Sequence, residues 1–245
     1  MLKKGGGEMN KGFMQGIKDG FPICLGYLSV SFAFGIFAVE SGFSVAEAVL
    51  LSTCCVTSAG QLAAVPIIAS MGGFIELILS QLVINLRYSL MSVSLSQKLD
   101  EKITFADKLI IAFVNTDEVF AVASSQKGNV NKKYMFGLIF TPWLGWTFGT
   151  LLGSVAGTLL PAVVIASLGI AIYGMFIAIV TPVAKKDKAT LVCVIIAVAL
   201  SCAFYYVPIL NRVPSGFSII ICTVIASVIM AVIAPIKKEE SENAE

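Results

Sequence analysis

The sequence predicts an all-α polytopic membrane protein with about eight transmembrane helices, one or two of them broken or short. Hydrophobic residues make up 57% of the 245-residue chain, and the mean hydropathy is +0.91. Charged residues contribute only 13%, about half the share in a typical soluble domain. Apolar runs of roughly 20 residues, the length that spans a bilayer, recur from Phe21 to Pro235. The whole chain, 1–245, is therefore predicted to be one transmembrane domain.

The apolar runs place the predicted elements in order. A polar N-terminal segment, 1–18, is expected to be flexible, and an acidic tail covers 237–245. Between them lie the eight predicted spans: 21–39, 45–70, 73–95, 108–124, 134–159, 162–183, 189–207 and 215–235. The fourth is short for a full crossing, so a re-entrant or broken helix is the alternative there.

Lysine placement predicts the topology. Eight spans put both termini and the loops around Lys127–Lys133 and Lys185–Lys188 on one side, which the positive-inside rule assigns to the cytoplasm. The 98–107 loop then lies outside. These positions predict a multi-pass protein of the cytoplasmic (inner) membrane, with both termini in the cytoplasm.

A row of glycines on the fifth predicted span predicts close helix packing. A stripe on the fifth span lets another helix backbone approach, in this chain or in another subunit. It consists of Gly145, Gly149, Gly153 and Gly157.

Two similar motifs predict an internal repeat: Phe32–Gly35 is followed 114 residues later by Trp146–Gly149. That offset would pair spans 1–4 with spans 5–8 as parallel halves, with a site between them.

The third span carries polar side chains on two faces. At about 100° per residue, these are Glu76, Ser80 and Arg87 on one face, and Gln81, Asn85 and Tyr88 on another. A lipid-facing helix cannot be polar on both sides, so this one is expected to pack among helices or to line water. An arginine near the membrane centre costs at least about 2.5 kcal/mol. The chain is expected to be organised around this helix.

The second span is predicted to be broken. Gly60 tolerates unusual backbone angles, and Pro66 removes one amide donor from the helix. An unwound segment here, with Gln61 beside it, could bind the amino or carboxylate group of a small substrate. The alternative is a merely kinked helix in which Gln61 bonds a neighbouring side chain.

The fourth span carries two carboxylates near its centre, Asp117 and Glu118. A buried carboxylate tends to be protonated unless it is paired, and Arg87 is the cation available near the middle of a span. The functional interpretation is a site that couples to a proton or binds a substrate ammonium group. The structural alternative is an Arg87–carboxylate pair that locks spans three and four together.

Several classes of function lack their residues in this sequence. There is no histidine, so Ser-His-Asp triads and histidine-ligated metals are excluded. The six cysteines lie in apolar runs without metal-ligand spacing, and no Gly-rich phosphate loop occurs. Basic patches with interleaved aromatic residues, typical of nucleic-acid binding, are lacking too. The sequence therefore predicts neither an enzyme nor a cofactor.

Six short motifs, in this order and spacing, make the chain similar to the AzlC-type branched-chain amino acid exporters from about residue 13 to residue 230. They are Gly16–Asp19, Phe32–Gly35, Ala59–Gln61, Leu86–Arg87, Thr116–Ala121 and Trp146–Thr150. The resemblance implies the large subunit of a two-component permease that works with a small AzlD-type membrane protein. One departure is Tyr88, where many members carry histidine, so a mechanism based on protonating that histidine does not carry over.

The residues and the resemblance together predict a secondary transporter that exports valine, leucine, isoleucine and, as further candidates, methionine or analogues. The substrate-binding candidates are Gly60, Gln61, Asn85, Arg87 and Tyr88, and the ion-coupling candidates are Asp117 and Glu118. Nothing resembles a nucleotide-binding domain, so an ion gradient is the expected energy source. The alternative function is a non-transporting membrane subunit or a channel with a structural polar core.

Overall fold

The computed structural model describes residues 5–126, 128–161, 163–164, 174, 177 and 180–234, and this part of the chain is helical apart from its connections. Its helices are α1 (Gly5–Glu40), α2 (Val45–Cys54), α3 (Ser58–Ala69), α4 (Phe74–Lys98), α5 (Phe105–Phe113), α6 (Asp117–Ser125), α7 (Lys132–Leu159), α8 (Lys188–Tyr206) and α9 (Ser215–Ile233). Five of them, α1, α4, α7, α8 and α9, are long and apolar enough to cross a membrane. The prediction of an all-α polytopic membrane protein is confirmed.

Three predicted segments are described to different extents: the N-terminal segment, the sixth span and the acidic tail. Helix α1 begins at Gly5, so much of the segment predicted to be flexible is helical. Most of the predicted sixth span, 162–183, and the acidic tail, 237–245, lie outside the described residues.

Helices α1 and α7 run parallel and pack backbone to backbone. Gly16 on α1 lies against the backbone of Tyr134, and further along Gly35 lies against the backbone of Thr150. A Cβ on Gly145 would lie 2.5 Å from the Cys24 carbonyl oxygen, which is closer than atoms can approach. Glycine lets the backbones meet, as the stripe predicts. The partner of the stripe is therefore a helix of the same chain.

This packing fixes two ends of the molecule. We call the end where α1 and α7 begin end A, and the end where they finish end B. The two echoed motifs, Phe32–Gly35 and Trp146–Gly149, lie on this parallel pair, and the Ser31 hydroxyl donates to the Gly145 carbonyl oxygen at 3.4 Å. The proposed repeat of the remaining helices stays a prediction.

Helices α2 and α3 form a hairpin that enters from end B, which we call hairpin 1. Gly42, with φ of +95°, turns the chain after α1, and Ser44 caps α2 in a capping box with Glu47. The amide of Gln61 donates to the Ser52 hydroxyl at 2.9 Å across the two helices. Ala48 and Val65 meet in one core cluster nearer end B.

Hairpin 1 corrects the second predicted span in two respects. The break falls at residues 55–57, before Gly60, so Gly60 and Gln61 lie inside helix α3. The segment also folds back towards end B instead of crossing, because Val65 of the second arm packs with Phe34 and Ala38 near the end of α1.

Helices α5 and α6 form a second hairpin, hairpin 2, which enters from end A. Asp107 Oδ1, in the first turn of α5, lies 2.7 Å from Lys132 Nζ, in the first turn of α7. The Asp100 amide donates to the Val130 carbonyl oxygen at 3.0 Å, and Val130 donates in turn to Lys98 at 2.9 Å. Both ends of hairpin 2 are thus tied to end A.

Hairpin 2 corrects the predicted topology. The prediction that the 98–107 loop lies on the opposite side from 125–133 is wrong, because backbone hydrogen bonds join the two loops. Of the two alternatives for the fourth span, the structure has both features: the segment is broken at residues 114–116 and it is re-entrant.

Helices α4 and α9 complete the described frame. Helix α4 runs from end B to end A, and at end B its Glu76 accepts a hydrogen bond of 2.7 Å from the Gly216 amide at the start of α9. Helix α9 therefore begins at end B and finishes at end A, where α1 begins. Glu76 and Ser80 are buried. Helix α4 packs on one face against α3, α6 and α9, whereas Leu82, Leu86 and Leu90 on its other face are exposed. The prediction that it packs among other helices therefore holds for one face only.

Candidate functional site

The tips of the two hairpins meet near the middle of the molecule and enclose a cavity of about 640 Å³. Hairpin 1 contributes the start of α3, hairpin 2 contributes the start of α6, and α1, α4 and α7 supply the remaining walls. The cavity is lined by Pro22, Ile23, Gly26, Tyr27, Val30, Val56, Ser58, Ala59, Ile84, Arg87, Tyr88, Thr116, Asp117, Glu118 and Trp146. Its volume lies within the range of about 300–1,000 Å³ that is usual for small-molecule sites.

An ion pair crosses this cavity from α4 to hairpin 2. Arg87 Nη1 lies 2.8 Å from Asp117 Oδ2, and the two side chains are 54% and 47% exposed. The Arg87 guanidinium also lies over the Tyr88 ring, 5.0 Å from its centroid, and donates to the Tyr88 hydroxyl at 3.3 Å. About half of each charged side chain thus stays accessible, which leaves room for a ligand to exchange partners with the pair.

Glu118 faces a different partner across the same cavity. The Tyr27 hydroxyl, on α1, donates to Glu118 Oε2 at 2.5 Å. The Tyr27 ring packs edge-on against Trp146, with 5.3 Å between centroids and an interplanar angle of 74°. Sequence reasoning missed Tyr27 and Trp146 as site residues. The available signal was a hydroxyl-bearing aromatic residue and an indole N–H, both near the middle of apolar spans.

Both hairpin tips direct a helix N-terminus at the cavity. Thr116 caps α6, its hydroxyl accepting from the Val119 amide at 3.5 Å. Thr57 makes no such cap for α3, and its hydroxyl donates to Asn85 Oδ1 at 2.7 Å. The first residues of α3, Ser58 and Ala59, line the cavity. A helix start without a side-chain cap presents amide donors and a partial positive charge to an anion.

Gln61 is close to the site but does not line it. It is 1% exposed, its amide nitrogen donates to Ser52 and its oxygen accepts 2.9 Å from Trp146 Nε1. Ser52 in turn bonds the Thr150 hydroxyl at 2.7 Å. These contacts correspond to the structural alternative, in which Gln61 bonds its neighbours. Here they attach hairpin 1 to α7.

Two further candidates also serve as framework. The Gly60 carbonyl oxygen accepts from the Gln81 amide at 2.9 Å, and Asn85 Nδ2 donates to Gln81 Oε1 at 3.2 Å. Neither Gly60 nor Asn85 lines the 640 Å³ cavity. Of the predicted substrate contacts, the structure therefore brings Arg87 and Tyr88 into the cavity, together with both predicted coupling acids.

The arrangement separates positive, negative and apolar surfaces within one cavity. Arg87 and the start of α3 present positive charge, whereas Asp117 and Glu118 present negative charge. The side chains of Ile23, Val30, Val56 and Ile84 form apolar walls. Such a cavity can hold a small zwitterion with an aliphatic side chain.

Comparison with known proteins covers this same region. A family model described as AzlC protein matches residues 22–160, which include both hairpins and every residue that lines the cavity. An uncharacterized membrane protein of Archaeoglobus fulgidus is 34% identical over 172 residues, 69% of this chain and 75% of the relative. The inner membrane protein YgaZ of Escherichia coli is 32% identical over 150 residues, 60% of this chain; the match spans 61% of the length of YgaZ. No solved structure matches the chain.

Proposed function

The chain belongs to the AzlC family of membrane proteins, and from that premise we propose that it is a secondary transporter that exports branched-chain amino acids. The observation that carries the proposal is the cavity at the meeting hairpin tips, which combines one cation, two carboxylates and apolar walls. Helices long and apolar enough to cross a membrane surround the cavity, which supports transport across a membrane. The substrate class follows from the resemblance and from the fit of a zwitterion to these charges.

In this proposal the ion pair opens when substrate binds. Arg87 and the amides at the start of α3 receive the substrate carboxylate, while Asp117 and Glu118 receive the ammonium group. Hydrogen bonds to charged groups contribute about 1.5–3 kcal/mol each, which compensates for separating a half-exposed pair. Tyr88 orients the guanidinium, and the apolar walls enclose the aliphatic side chain.

The two hairpins act as the gates for alternating access to the cavity. Hairpin 1 blocks the path from end B and hairpin 2 blocks the path from end A, so movement of one tip opens the cavity to one side only. Asp117, released from Arg87, is our candidate for the group that carries a coupling proton, with Glu118 as the second candidate. Its position in the first turn of α6 ties its charge state to the position of hairpin 2.

Charge distribution supports the orientation in the membrane. The described residues at end A include lysines from several segments: Lys18, Lys98, Lys102, Lys108, Lys132 and Lys133. Among the described residues, end B carries Glu40, Glu47 and Glu76 and one arginine, Arg212. The positive-inside rule then assigns end A, where α1 begins and α9 finishes, to the cytoplasm. We further propose an AzlD-type small membrane subunit as partner, on the strength of the family resemblance.

The proposal is tested by counterflow in liposomes that contain the purified chain, with and without the small subunit. Leucine-loaded liposomes should accumulate labelled leucine. Arg87→Gln should lower the exchange rate at low leucine by at least about tenfold, since a charge-assisted hydrogen bond is worth about 1.5–3 kcal/mol. Arg212→Gln, at end B and away from the cavity, is the control and should exchange normally. Absence of leucine exchange in both preparations would favour a non-transporting subunit.

A further inference from the structure

A second, smaller pocket of about 190 Å³ lies between the same two hairpin tips, next to the large cavity. The ends of the first arm of each hairpin reach it: Cys54 closes α2 and Phe113 closes α5. Tyr88 and Val56 line both the pocket and the large cavity, so a single layer of side chains separates them.

Asn115 marks this pocket as a binding site. The residue is 3% exposed, and its Nδ2 donates to the Ser92 hydroxyl at 3.1 Å. Its Oδ1 is buried and has no hydrogen-bond partner within the described part of the chain. An unpaired buried acceptor costs about 1–3 kcal/mol, and a ligand bound to this oxygen would offset that cost.

The other polar groups around the pocket also offer oxygen acceptors. Thr57 donates its hydroxyl proton to Asn85, and Asn85 donates to Gln81. Their oxygens keep lone pairs that can bind a ligand. A hard cation, which is coordinated by such neutral oxygen atoms, fits this set.

The two helix C-termini add to this preference. The last carbonyl groups of a helix lack intrahelical partners and carry a partial negative charge. Both α2 and α5 end at the pocket, in a region where the bilayer would otherwise exclude an ion. Half-helix C-termini that meet near the membrane centre are a recurring way to coordinate Na⁺ in transporters, while the N-termini face the substrate.

We propose that this pocket binds a Na⁺ ion, with Asn115 Oδ1, the Thr57 hydroxyl oxygen and helix-end carbonyl oxygens of α2 and α5 as ligands. No carboxylate lines the pocket, which disfavours a divalent cation because Ca²⁺ and Mg²⁺ sites are built around carboxylates. The ion would hold the two tips together. Its coupling to substrate, through Tyr88 and Val56, rests on the proposed transport function, whereas its binding does not.

Thermal unfolding of the purified full-length chain in detergent tests the binding. The midpoint is measured in NaCl, KCl and N-methylglucamine chloride at equal ionic strength, with and without leucine. We expect a saturable rise of the midpoint in NaCl that neither KCl nor N-methylglucamine chloride reproduces. Ligand that binds only the folded state produces such a concentration-dependent rise.

Asn115→Ala should weaken the apparent Na⁺ affinity by at least about tenfold, the size of effect that even outer-shell changes have at metal sites. Thr147→Ala is the matched control, because Thr147 also has a buried hydroxyl without a described partner but lines neither cavity. Its Na⁺ response should be that of the wild type. If Asn115→Ala does not fold, Thr57→Val replaces it with the same expected loss.

Two results would overturn the inference. One is a wild-type midpoint that does not distinguish Na⁺ from K⁺ and N-methylglucamine, the outcome expected if the pocket holds only water. The other is an unchanged Na⁺ response in both Asn115→Ala and Thr57→Val. A midpoint raised by leucine but not by Na⁺ would reject this inference while leaving the proposed transport function in place.

Discussion

Lys132 and Asp107 form an ion pair, with 2.7 Å between Nζ and Oδ1, that ties the start of α5 to the start of α7. The pair lies beside the backbone hydrogen bonds between Asp100 and Val130. Together these contacts hold both ends of hairpin 2 at end A. Residues 105–125 consequently enter the membrane region and return, and every described lysine from Lys98 to Lys133 collects at one end.

Cysteine labelling should show this directly. On a cysteine-free background, Asp100→Cys and Asn129→Cys are expected to react from the same side of the membrane, which the positive-inside rule makes the cytoplasm. Both should therefore label only after permeabilisation. Glu40→Cys, at end B, is the control that should label in intact cells. Reaction of positions 100 and 129 from opposite sides would show that hairpin 2 crosses the membrane.

The α1–α7 contact should be sensitive to single methyl groups. Gly153→Ala places a Cβ against the Phe32 backbone, so the two helices must separate, at a cost of about 1–3 kcal/mol. Gly157→Ala is the matched control, because its nearest neighbour would lie at 3.4 Å, an ordinary contact. Thermal unfolding should rank Gly153→Ala well below Gly157→Ala. Equal midpoints for the two variants would contradict the packing described.

Gln61→Ala should act on stability and not on substrate contact. It leaves the buried Trp146 N–H without an acceptor and removes one of the two partners of the Ser52 hydroxyl, so we expect a loss of about 1–3 kcal/mol in unfolding free energy. Leucine affinity, measured on the folded fraction, should change little. Gln97→Ala, at an exposed position of α4, is the control and should stay within about 0.5 kcal/mol of wild type. A Gln61→Ala protein of normal stability that binds leucine more weakly would show that Gln61 contacts the substrate.

The Arg87–Asp117 pair gives the prediction that separates transport from a locked scaffold. Because both side chains are about half exposed, the pair should contribute about 1 kcal/mol or less to stability, not the 3–5 kcal/mol cost of breaking a fully buried pair. Asp117→Asn should therefore fold with a nearly unchanged unfolding midpoint. It should still exchange leucine but fail to concentrate it against a gradient, because the amide cannot exchange a proton.

Variants of Arg87, Asp117 and Glu118 distinguish a structural ion pair from a coupling role of either acid. If the pair is structural, Arg87→Ala and Asp117→Asn both lose folded protein, and the neutral double variant recovers it. If the coupling proton resides on Glu118, uphill transport fails in Glu118→Gln and persists in Asp117→Asn. Uphill transport that persists in both single variants would reject a coupling role for either acid.

The sequence by itself determined the class of the protein and most of its packing chemistry. Apolar runs of the length of a bilayer are enough to predict membrane helices, because transfer of such segments into lipid depends on composition more than on context. The glycine stripe predicted backbone contact for the same local reason. Arg87 and Asp117 could be paired from sequence because two opposite charges near the membrane centre are costly unless they meet.

Only the tertiary structure decided which way the broken helices run and which polar side chains reach the cavity. A break at residues 55–57 or 114–116 is compatible with crossing or with folding back, and hydropathy is the same for both. Contacts with other helices decided the direction: Gln61 of hairpin 1 bonds Trp146 of α7, and Asp107 of hairpin 2 pairs with Lys132 of α7. Gln61 is buried against Trp146, whereas Arg87 reaches the cavity and pairs with Asp117. The neighbours of a side chain, and not its position along one helix, determine which partner it finds.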